Sequence, residues 1–193
     1  ESGANVVFLK EKNYFFKMSR YKEQLLSHID ANDGFIQPTN RKNEILGFLE
    51  KDLRDLCISR PKSRLSWGIE LPFDEEFVTY VWFDALLNYA TGVGLYQDEE
   101  NFEKWWPHTT HLLGKDILTT HCVYWPTFLL ALDIPLPKSF IAHGWWLMGG
   151  TKMSKSLGNV VDPFELNDTY GTDALRYFLI RDMSLGQDAT FTL

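Results

Sequence analysis

The chain has 193 residues, of which 45% are hydrophobic, and a formal net charge of -7. This size and composition predict one sizeable core or two small ones and exclude an intrinsically disordered chain. The acidic balance disfavours a module that binds nucleic acid through bulk electrostatics, since such modules carry a basic face. No apolar run reaches the roughly 18 residues that a membrane span requires, so we expect a cytoplasmic protein without membrane contacts; an organellar location is also compatible.

The two cysteines, Cys57 and Cys122, lie far apart and outside any paired-cysteine spacing. They predict neither a disulfide framework nor a zinc knuckle, no metal site is expected, and we interpret both as buried, reduced thiols. The chain begins at Glu1 without an initiator methionine and ends in a polar run. We therefore expect it to be a segment of a longer protein.

Residues 1–59 show helical periodicity twice. Apolar side chains recur at helical spacing in 21–29 and again in 45–56, which predicts two amphipathic helices. Turn-forming residues at 32–34 and 38–40 are expected to separate them.

Residues 60–147 alternate short apolar runs, such as 77–81 and 110–114, with helical stretches. This alternation is typical of β-α units on a parallel sheet. We therefore predict an α/β fold and, in this region, half of a doubly wound parallel sheet.

Residues 148–193 contain two predicted helix starts. Asp162, followed by Pro163 and then Glu165, combines an N-cap, a first-turn proline and a capping box. A second helix is expected to follow Gly171. Its predicted buried face consists of three apolar residues: Leu175, Phe178 and Leu179.

The most specific chemical pattern is Lys152-Met153-Ser154-Lys155-Ser156, which has glycines on both sides. Two lysines three residues apart, with small hydroxyl side chains between them, suit the binding of a polyphosphate. The flanking glycines permit such a loop to move. A solvated basic turn is the other interpretation of so short a pattern.

Two further segments predict a binding cleft. Trp82, Ala85 and Tyr89 share one face of a helix, and two rings separated by a methyl group leave a slot for a slim, polarisable side chain. Asp116 and His121 follow a strand that ends in Gly114, where a doubly wound sheet binds its ligands. Ordinary core aromatics, an N-cap aspartate and a core histidine are the alternatives.

The twelve residues 152–163 resemble the second signature of class I aminoacyl-tRNA synthetases, in which this loop closes on ATP. Because the isoleucyl, valyl and leucyl enzymes have near-identical loops, the loop alone does not identify the amino acid. Residues 80–89 are similar to the pocket helix of the methionyl family, although that family often has proline in place of Leu86.

The resemblance implies a role for individual residues. The expected catalytic residues are Lys152 and Lys155. The expected contacts to ATP and its adenosine are Gly114, Asp116, His143, Gly144, Met153, Ser154 and Ser156. The expected methionine-binding residues are Trp82, Ala85, Leu86, Tyr89, His121 and Tyr124. Arg60 is expected to brace the site by pairing with an aspartate from the other half of the fold, and a buried structural role for His143 stays open.

The resemblance also implies the organisation of the chain. Residues 1–59 would be the distal part of a connective insertion, 60–147 the second half of the nucleotide-binding domain, and 148–193 the loop and the first stem-contact helices. The implied partners are methionine, ATP with Mg²⁺, tRNA(Met), the first half of the catalytic domain and an anticodon-binding domain. Zinc cannot be predicted from this segment.

The first signature of this class, His-x-Gly-His, is absent from the sequence. We therefore expect the isolated chain to bind its substrates weakly and to catalyse nothing. Two other functions stay open: a synthetase for isoleucine, valine or leucine, and a non-catalytic relative that binds RNA.

Overall fold

The computed structural model describes residues 10–192. The described helices are α1 Lys22–Ala31, α2 Thr39–Leu49, α3 Val81–Ala85, α4 Asn88–Thr91, α5 Glu99–Trp105, α6 Trp125–Ala131, α7 Pro163–Tyr170 and α8 Thr172–Arg181. The described strands are β1 Phe15–Phe16, β2 Ile36–Gln37, β3 Leu56–Cys57, β4 Ser59–Pro61, β5 Glu70–Leu71, β6 Asp74–Thr79, β7 Thr110–Gly114, β8 Ser139–His143, β9 Trp146–Met148, β10 Thr151–Lys152 and β11 Ala189–Phe191. In this part of the chain, no helix is long and apolar enough to cross a membrane.

A parallel sheet with strand order β2-β8-β7 lies at the centre of the fold. The predicted strand at 110–114 is confirmed as β7, which pairs with β8 over its whole length. Helix α1 packs against α6, and one hydrophobic cluster includes residues from the sheet and from both helices. The predicted α/β fold with a parallel sheet is therefore confirmed.

The strand predicted at 77–81 belongs to a different sheet. It is part of β6, which pairs antiparallel with β4 and β5, and residue 81 already begins α3. A parallel connection needs a crossover of about a dozen residues. Only residues 72 and 73 separate β5 from β6, so a hairpin is the one connection available there.

The two helices predicted near the beginning of the chain exist, but their limits differ from the prediction. The second is α2, which ends at Leu49, and Leu56 lies in β3 opposite β1. Residues 38–40 do not form a turn, because Pro38 caps α2 and the next two residues begin it. Pairing between distant strands leaves no trace in local periodicity, which explains the overlong prediction.

Strand β2 also bears on the predicted boundary at residue 59. Its residues pair in parallel with Phe140 and Ile141 of β8, so it is an edge strand of the central sheet. The region assigned to a connective insertion thus contributes to the predicted nucleotide-binding sheet, and in this respect the boundary was wrong.

The end of the chain begins its first helix as predicted. The Asp162 carboxylate accepts a hydrogen bond from the Phe164 backbone N–H at 2.8 Å, which caps α7. In α8, Leu175 and Phe178 are half-buried, whereas Leu179 is 40% exposed, contrary to prediction. The ring of Phe178 stacks on Trp146 of β9, and one further residue turns the helix by about 100°, away from that strand.

A hairpin carries the lysine loop. Strands β9 and β10 pair antiparallel through Gly149 and Gly150, whose φ values are 57° and 77°. Both values lie in the left-handed region that glycine adopts without steric cost, as two-residue hairpin turns require. Strand β11 pairs with the other edge of β9. The hairpin therefore delivers Lys152 to the end of the central sheet.

Candidate active site

The site begins where the central strands end. Gly114 and His143 are register partners at the carboxyl ends of β7 and β8, so the residues that follow them lie on one edge of the sheet. A Cβ atom on Gly114 would lie 2.7 Å from Asp116 Oδ1 and 3.7 Å from His143 Cε1. The glycine thus lets the aspartate fold back over the strand end, where doubly wound sheets bind ligands.

Asp116 meets the lysine loop across an indole ring. The Trp145 Nε1–H donates to Asp116 Oδ1 at 3.2 Å, and Lys152 Nζ lies 3.4 Å from Asp116 Oδ2. The same ammonium lies 4.2 Å from the centroid of the Trp145 ring, a cation–π distance. The Asp116 and Lys152 side chains are each nearly half exposed, at 45% and 48%, so incoming groups can reach both.

These contacts keep the aspartate ionised. Burial alone would raise the pKa of Asp116, but the hydrogen bond from Trp145 and the charge of Lys152 outweigh it, and the pKa lies below its ordinary value. Asp116 is therefore a carboxylate that accepts hydrogen bonds at neutral pH.

The loop itself is held by a single amide side chain. Asn159 accepts from the Ser154 backbone N–H at 2.7 Å and donates to the Lys152 carbonyl at 3.2 Å, while the Ser154 and Ser156 hydroxyls lie 2.7 Å apart. Lys155 is exposed, and within residues 10–192 no carboxylate lies within ion-pair distance of it. Its ammonium is thus available to an anion from solution.

A second group of residues surrounds His121. Its Nδ1 lies 3.0 Å from the Ile117 carbonyl, which can only accept, so Nδ1 carries the proton and Nε2 is an acceptor. The Tyr89 hydroxyl lies 3.0 Å from Nε2 and therefore donates to it. Trp82 and Tyr89 both flank the imidazole, with ring centroids 6.0 Å and 5.6 Å away. Burial lowers the pKa of His121, although the bond to Ile117 opposes the shift, so the ring is neutral at pH 7.

The structure does not bring every predicted pocket residue to His121. Trp82 and Tyr89 reach it although the expected continuous helix is broken into α3 and α4. Ala85 is half-buried, Leu86 is fully buried in the hydrophobic core, and Tyr124 lines a different cavity with Met18, Leu53 and Leu56. Residues Thr120–Tyr124 form a π turn, whose wider spacing turns Tyr124 away from the face that His121 shares with Trp125.

The remaining predicted residues have local partners. The Arg60 guanidinium lies 4.9 Å from the centroid of the Tyr80 ring and donates to the Ser59 carbonyl. His143 Nδ1 is 2.7 Å from the Gly144 carbonyl. Cys122 is buried, where burial raises the pKa of its thiol, whereas Cys57 is only half-buried, contrary to expectation. Among the described residues, no group of three or more His, Cys, Asp or Glu is placed to hold a metal ion.

Sequence reasoning missed four residues of the site: His111, Lys115, Trp145 and Asp188. His111 is 5% exposed and packs edge-on against Tyr89, with centroids 4.5 Å apart. Lys115 and Trp145 each adjoin a predicted site residue, and that adjacency was the available signal. Asp188 lies in a run without a recognisable motif, so nothing local indicated it.

The ring-lined face is open. Three cavities of the described residues lie elsewhere, and the first of them, of about 300 Å³, is lined by α7, α8 and β11. Tyr89 itself is 37% exposed. The Trp82, Tyr89 and His121 group is therefore one wall of a site and not an enclosed pocket.

Comparison with known proteins identifies the class of this fold and site. Residues 2–193 match the family model described as "tRNA synthetases class I (M)", so the chain belongs to the class I tRNA synthetases. Within that class, the matched family is the one marked M, and the similar curated proteins are named methionine--tRNA ligase.

Two of these relatives show the extent of the similarity. The protein of Rickettsia conorii is 47% identical over 190 residues, which are 98% of this chain and 37% of that protein. The protein of Clostridium acetobutylicum is 51% identical over 193 residues, 99% of this chain and 30% of its own length. The chain thus spans about a third of the length of the curated relatives it matches.

Solved structures agree with the sequence comparison. Mycobacterium tuberculosis methionyl-tRNA synthetase bound by methionyl-adenylate superposes with a TM-score of 0.88 at 44% identity, covering 99% of this chain and 37% of that one. The apo form of the same enzyme gives a TM-score of 0.85 at 40% identity, covering 100% and 37%.

Proposed function

We propose that this chain supplies one wall of the methionine pocket, together with the phosphate-binding loop, of an enzyme that activates methionine with ATP and transfers it to tRNA(Met). The observation that carries the proposal is the pair of adjacent residues Asp116 and Ile117. The Asp116 carboxylate faces Lys152, and the Ile117 carbonyl fixes the tautomer of His121. A charged half-site and a ring-lined half-site one residue apart suit a ligand that joins an amino acid to a nucleotide.

The ring-lined half-site matches the chemistry of a thioether. Its hydrogen-bonded Tyr89–His121 pair is neutral, and the rings of Trp82 and Tyr89 flank it. Contact between sulfur and an aromatic ring stabilises a complex by about 0.3 to 1.5 kcal/mol. A neutral, aromatic surface therefore favours an unbranched sulfur-containing side chain over a charged one. The methionyl-adenylate bound to the similar Mycobacterium tuberculosis enzyme supports this assignment.

The charged half-site matches the chemistry of ATP. The ionised Asp116 would accept from ribose hydroxyls, and the adenine would lie beside Gly114, His143 and Gly144 at the strand ends. Ribose binding would then compete with Lys152 for the carboxylate, which leaves that ammonium free to follow the loop. Met153, Ser154 and Ser156 would line the triphosphate with the two lysines.

In the reaction we propose, a carboxylate oxygen of methionine attacks the α-phosphorus of ATP, which brings Mg²⁺ as part of the substrate. The bond from the α-phosphorus to its bridging oxygen breaks, and pyrophosphate leaves with the electron pair. No side chain acts as a nucleophile, so catalysis rests on positioning and on charge stabilisation. Lys155 is placed for the second task, since its ammonium is exposed and meets no carboxylate within residues 10–192.

The chain would need the rest of a longer protein for this activity. We propose that the first half of the catalytic domain provides the missing phosphate-binding signature and the opposite wall of the methionine site. Arg60 would pair with an aspartate from that half, because no carboxylate of the described part of this chain lies within ion-pair distance of it. An anticodon-binding domain would complete the contact with tRNA(Met), and we propose the cytoplasm as the location.

The test is ATP–pyrophosphate exchange by the complete protein with methionine, isoleucine, valine and leucine in turn. We expect exchange with methionine at low concentration and with the other three only at much higher concentration. Replacing Tyr89 by phenylalanine removes one hydrogen bond of about 1 kcal/mol, which predicts a roughly fivefold higher KM for methionine. Tyr96→Phe, at a tyrosine that is 76% exposed, is the matched control.

Two results would contradict the proposal. Exchange with valine but not with methionine would assign the pocket to another amino acid. The absence of exchange with any amino acid, in a complete protein that still binds tRNA, would instead indicate a non-catalytic relative.

A further inference from the structure

Asp188, at the start of the last described strand, holds Trp145 in two ways. Its Oδ1 accepts from the Trp145 backbone N–H at 2.8 Å. Its carboxylate also lies 2.7 Å from Lys115 Nζ, and that ammonium lies 4.2 Å from the centroid of the Trp145 ring. A single carboxylate therefore fixes both the backbone of Trp145 and the cation that packs on its indole.

The segment around Asp188 is itself fixed against the edge of the sheet. The Ala189 N–H donates to the Trp145 carbonyl at 2.9 Å, next to the first pair of β9 and β11. A Cβ atom on Gly144 would collide with the Gln187 carbonyl, so the two backbones are in close contact. Arg41 donates to the Gly186 carbonyl from the other side. Asp188 is thus held from several directions and can act as a fixed support.

Trp145 in turn contacts two groups of the proposed ATP site. Its indole N–H donates to Asp116, and Lys152 packs on its ring. The path from Asp188 to the site is therefore short and polar: carboxylate to Trp145, and Trp145 to Asp116 and Lys152. None of these three residues is close to Asp188 in the sequence.

We propose that Asp188 is a positioning residue for ATP, which sets the indole of Trp145 and, through it, the Asp116 carboxylate and the resting place of Lys152. This inference rests on the proposed function, because it concerns the same nucleotide site. Asp188 does not touch the reacting atoms in this arrangement. Its effect falls on nucleotide binding and leaves the ring-lined methionine face unchanged.

The charges of the cluster agree with this role. Lys115 and Lys152 lie at the same distance from one indole, and Asp188 and Asp116 each pair with one of them. The hydrogen bond from Lys115, followed by that from the Trp145 backbone, lowers the pKa of Asp188, so it is ionised at neutral pH. Without Asp188, the Lys115 ammonium would be free to pair with Asp116, the carboxylate that ATP needs.

The experiment measures exchange kinetics and melting temperature for the complete protein and its variants. Asp188→Ala removes both contacts, and Asp188→Asn retains an oxygen that can accept from Trp145. We expect Asp188→Ala to raise the KM for ATP about tenfold and Asp188→Asn about threefold, with the KM for methionine within twofold of the native value. Asp182→Ala, which removes an exposed carboxylate 3.9 Å from Arg181, is the control and should change neither KM.

A double-mutant cycle tests the route through the indole. Trp145→Phe keeps a ring but loses the N–H that Asp116 accepts. If Asp188 acts through Trp145, the KM increase of the double variant falls clearly below the product of the single increases. Independent effects would give that product and would overturn the proposed route.

The outcomes separate this inference from the proposed function. An unchanged KM for ATP in Asp188→Ala, or equal increases for ATP and methionine, would refute positioning of the nucleotide. If Asp188→Ala does not fold, Asp188→Asn carries the same comparison. If the native protein exchanges no amino acid, the proposed function fails; ATP dissociation constants of the same variants, measured by calorimetry, then decide the inference alone.

Discussion

His111 offers a prediction whose magnitude follows from its surroundings. Its ring stacks on Phe140 with centroids 4.9 Å apart, and its Nε2 is buried without a hydrogen-bond partner among the described residues. Burial, assisted by the nearby His121, lowers the pKa of His111 to about 4 from its ordinary value of 6.5. The folded protein therefore keeps this ring neutral where the unfolded chain protonates it.

The sign and size of the effect follow by linkage. Between pH 6.5 and about 4, the unfolded state binds a proton that the folded state does not, so the free energy of unfolding falls as the pH is lowered. A difference of about 2.5 pKa units corresponds to an upper value of about 3 kcal/mol. The loss should begin near pH 6.5 and be complete just below pH 4.

We expect His111→Phe to remove most of this pH-dependent loss, since phenylalanine can keep the stacking on Phe140 without titrating. Urea unfolding of the 193-residue chain at pH 7.5, 6 and 5 measures the effect, and NMR titration of the imidazole protons measures the pKa directly. His108→Gln, at an exposed histidine, is the control. A slope in His111→Phe equal to the native slope, or a His111 midpoint near 6.5, would refute this reasoning.

Three further predictions concern the loop, the sheet edge and a helix cap. Lys155→Ala should lower the kcat of methionine activation in the complete protein by 10- to 100-fold or more, on the scale of a lost charge contact in the transition state, and leave the KM for methionine nearly unchanged; stopped-flow or exchange kinetics check this, and a change confined to the KM would contradict it. Gly144→Ala should lower the melting temperature by several degrees, because its Cβ would collide with the Gln187 carbonyl; Gly47→Ala, at a glycine with no atom within 4 Å of the new Cβ, is the control, and equal melting temperatures would show that the backbones separate without cost. Asp162→Ala should destabilise the fold by about 1 kcal/mol through loss of the N-cap of α7, measured by urea unfolding, whereas Asp162→Asn should retain most of the stability; similar losses in both variants would contradict the capping role.

Local features of the fold could be predicted because their causes lie within a few residues. The Asp162 cap, the buried face of α1 and the strand β7 depend on short-range capping and on apolar spacing. The antiparallel pairing of β6 and the early end of α2 depend on contacts between distant segments. Periodicity does not record such contacts, so these two predictions failed.

The candidate site divides in the same way. The lysine loop and Asp116 were found from their own residue types, and the structure places Lys152 beside that aspartate. The grouping of Trp82, Tyr89 and His121 was also expected, although the helix that was meant to carry the first two is broken. Asp188 and Lys115 are 73 residues apart, and no pattern in either segment indicates their pairing. The π turn that directs Tyr124 elsewhere is likewise a conformational choice that side-chain spacing does not reveal.

The short turn that contains Asp116 and Ile117 has a thermodynamic consequence. Whatever restrains the imidazole through the Ile117 carbonyl also restrains the peptide that carries the neighbouring carboxylate. We expect occupancy on one side to change affinity on the other, and linkage then demands the same factor whichever ligand binds first. Amino acid and nucleotide would thus bind as a cooperative pair without any movement of the sheet beneath them.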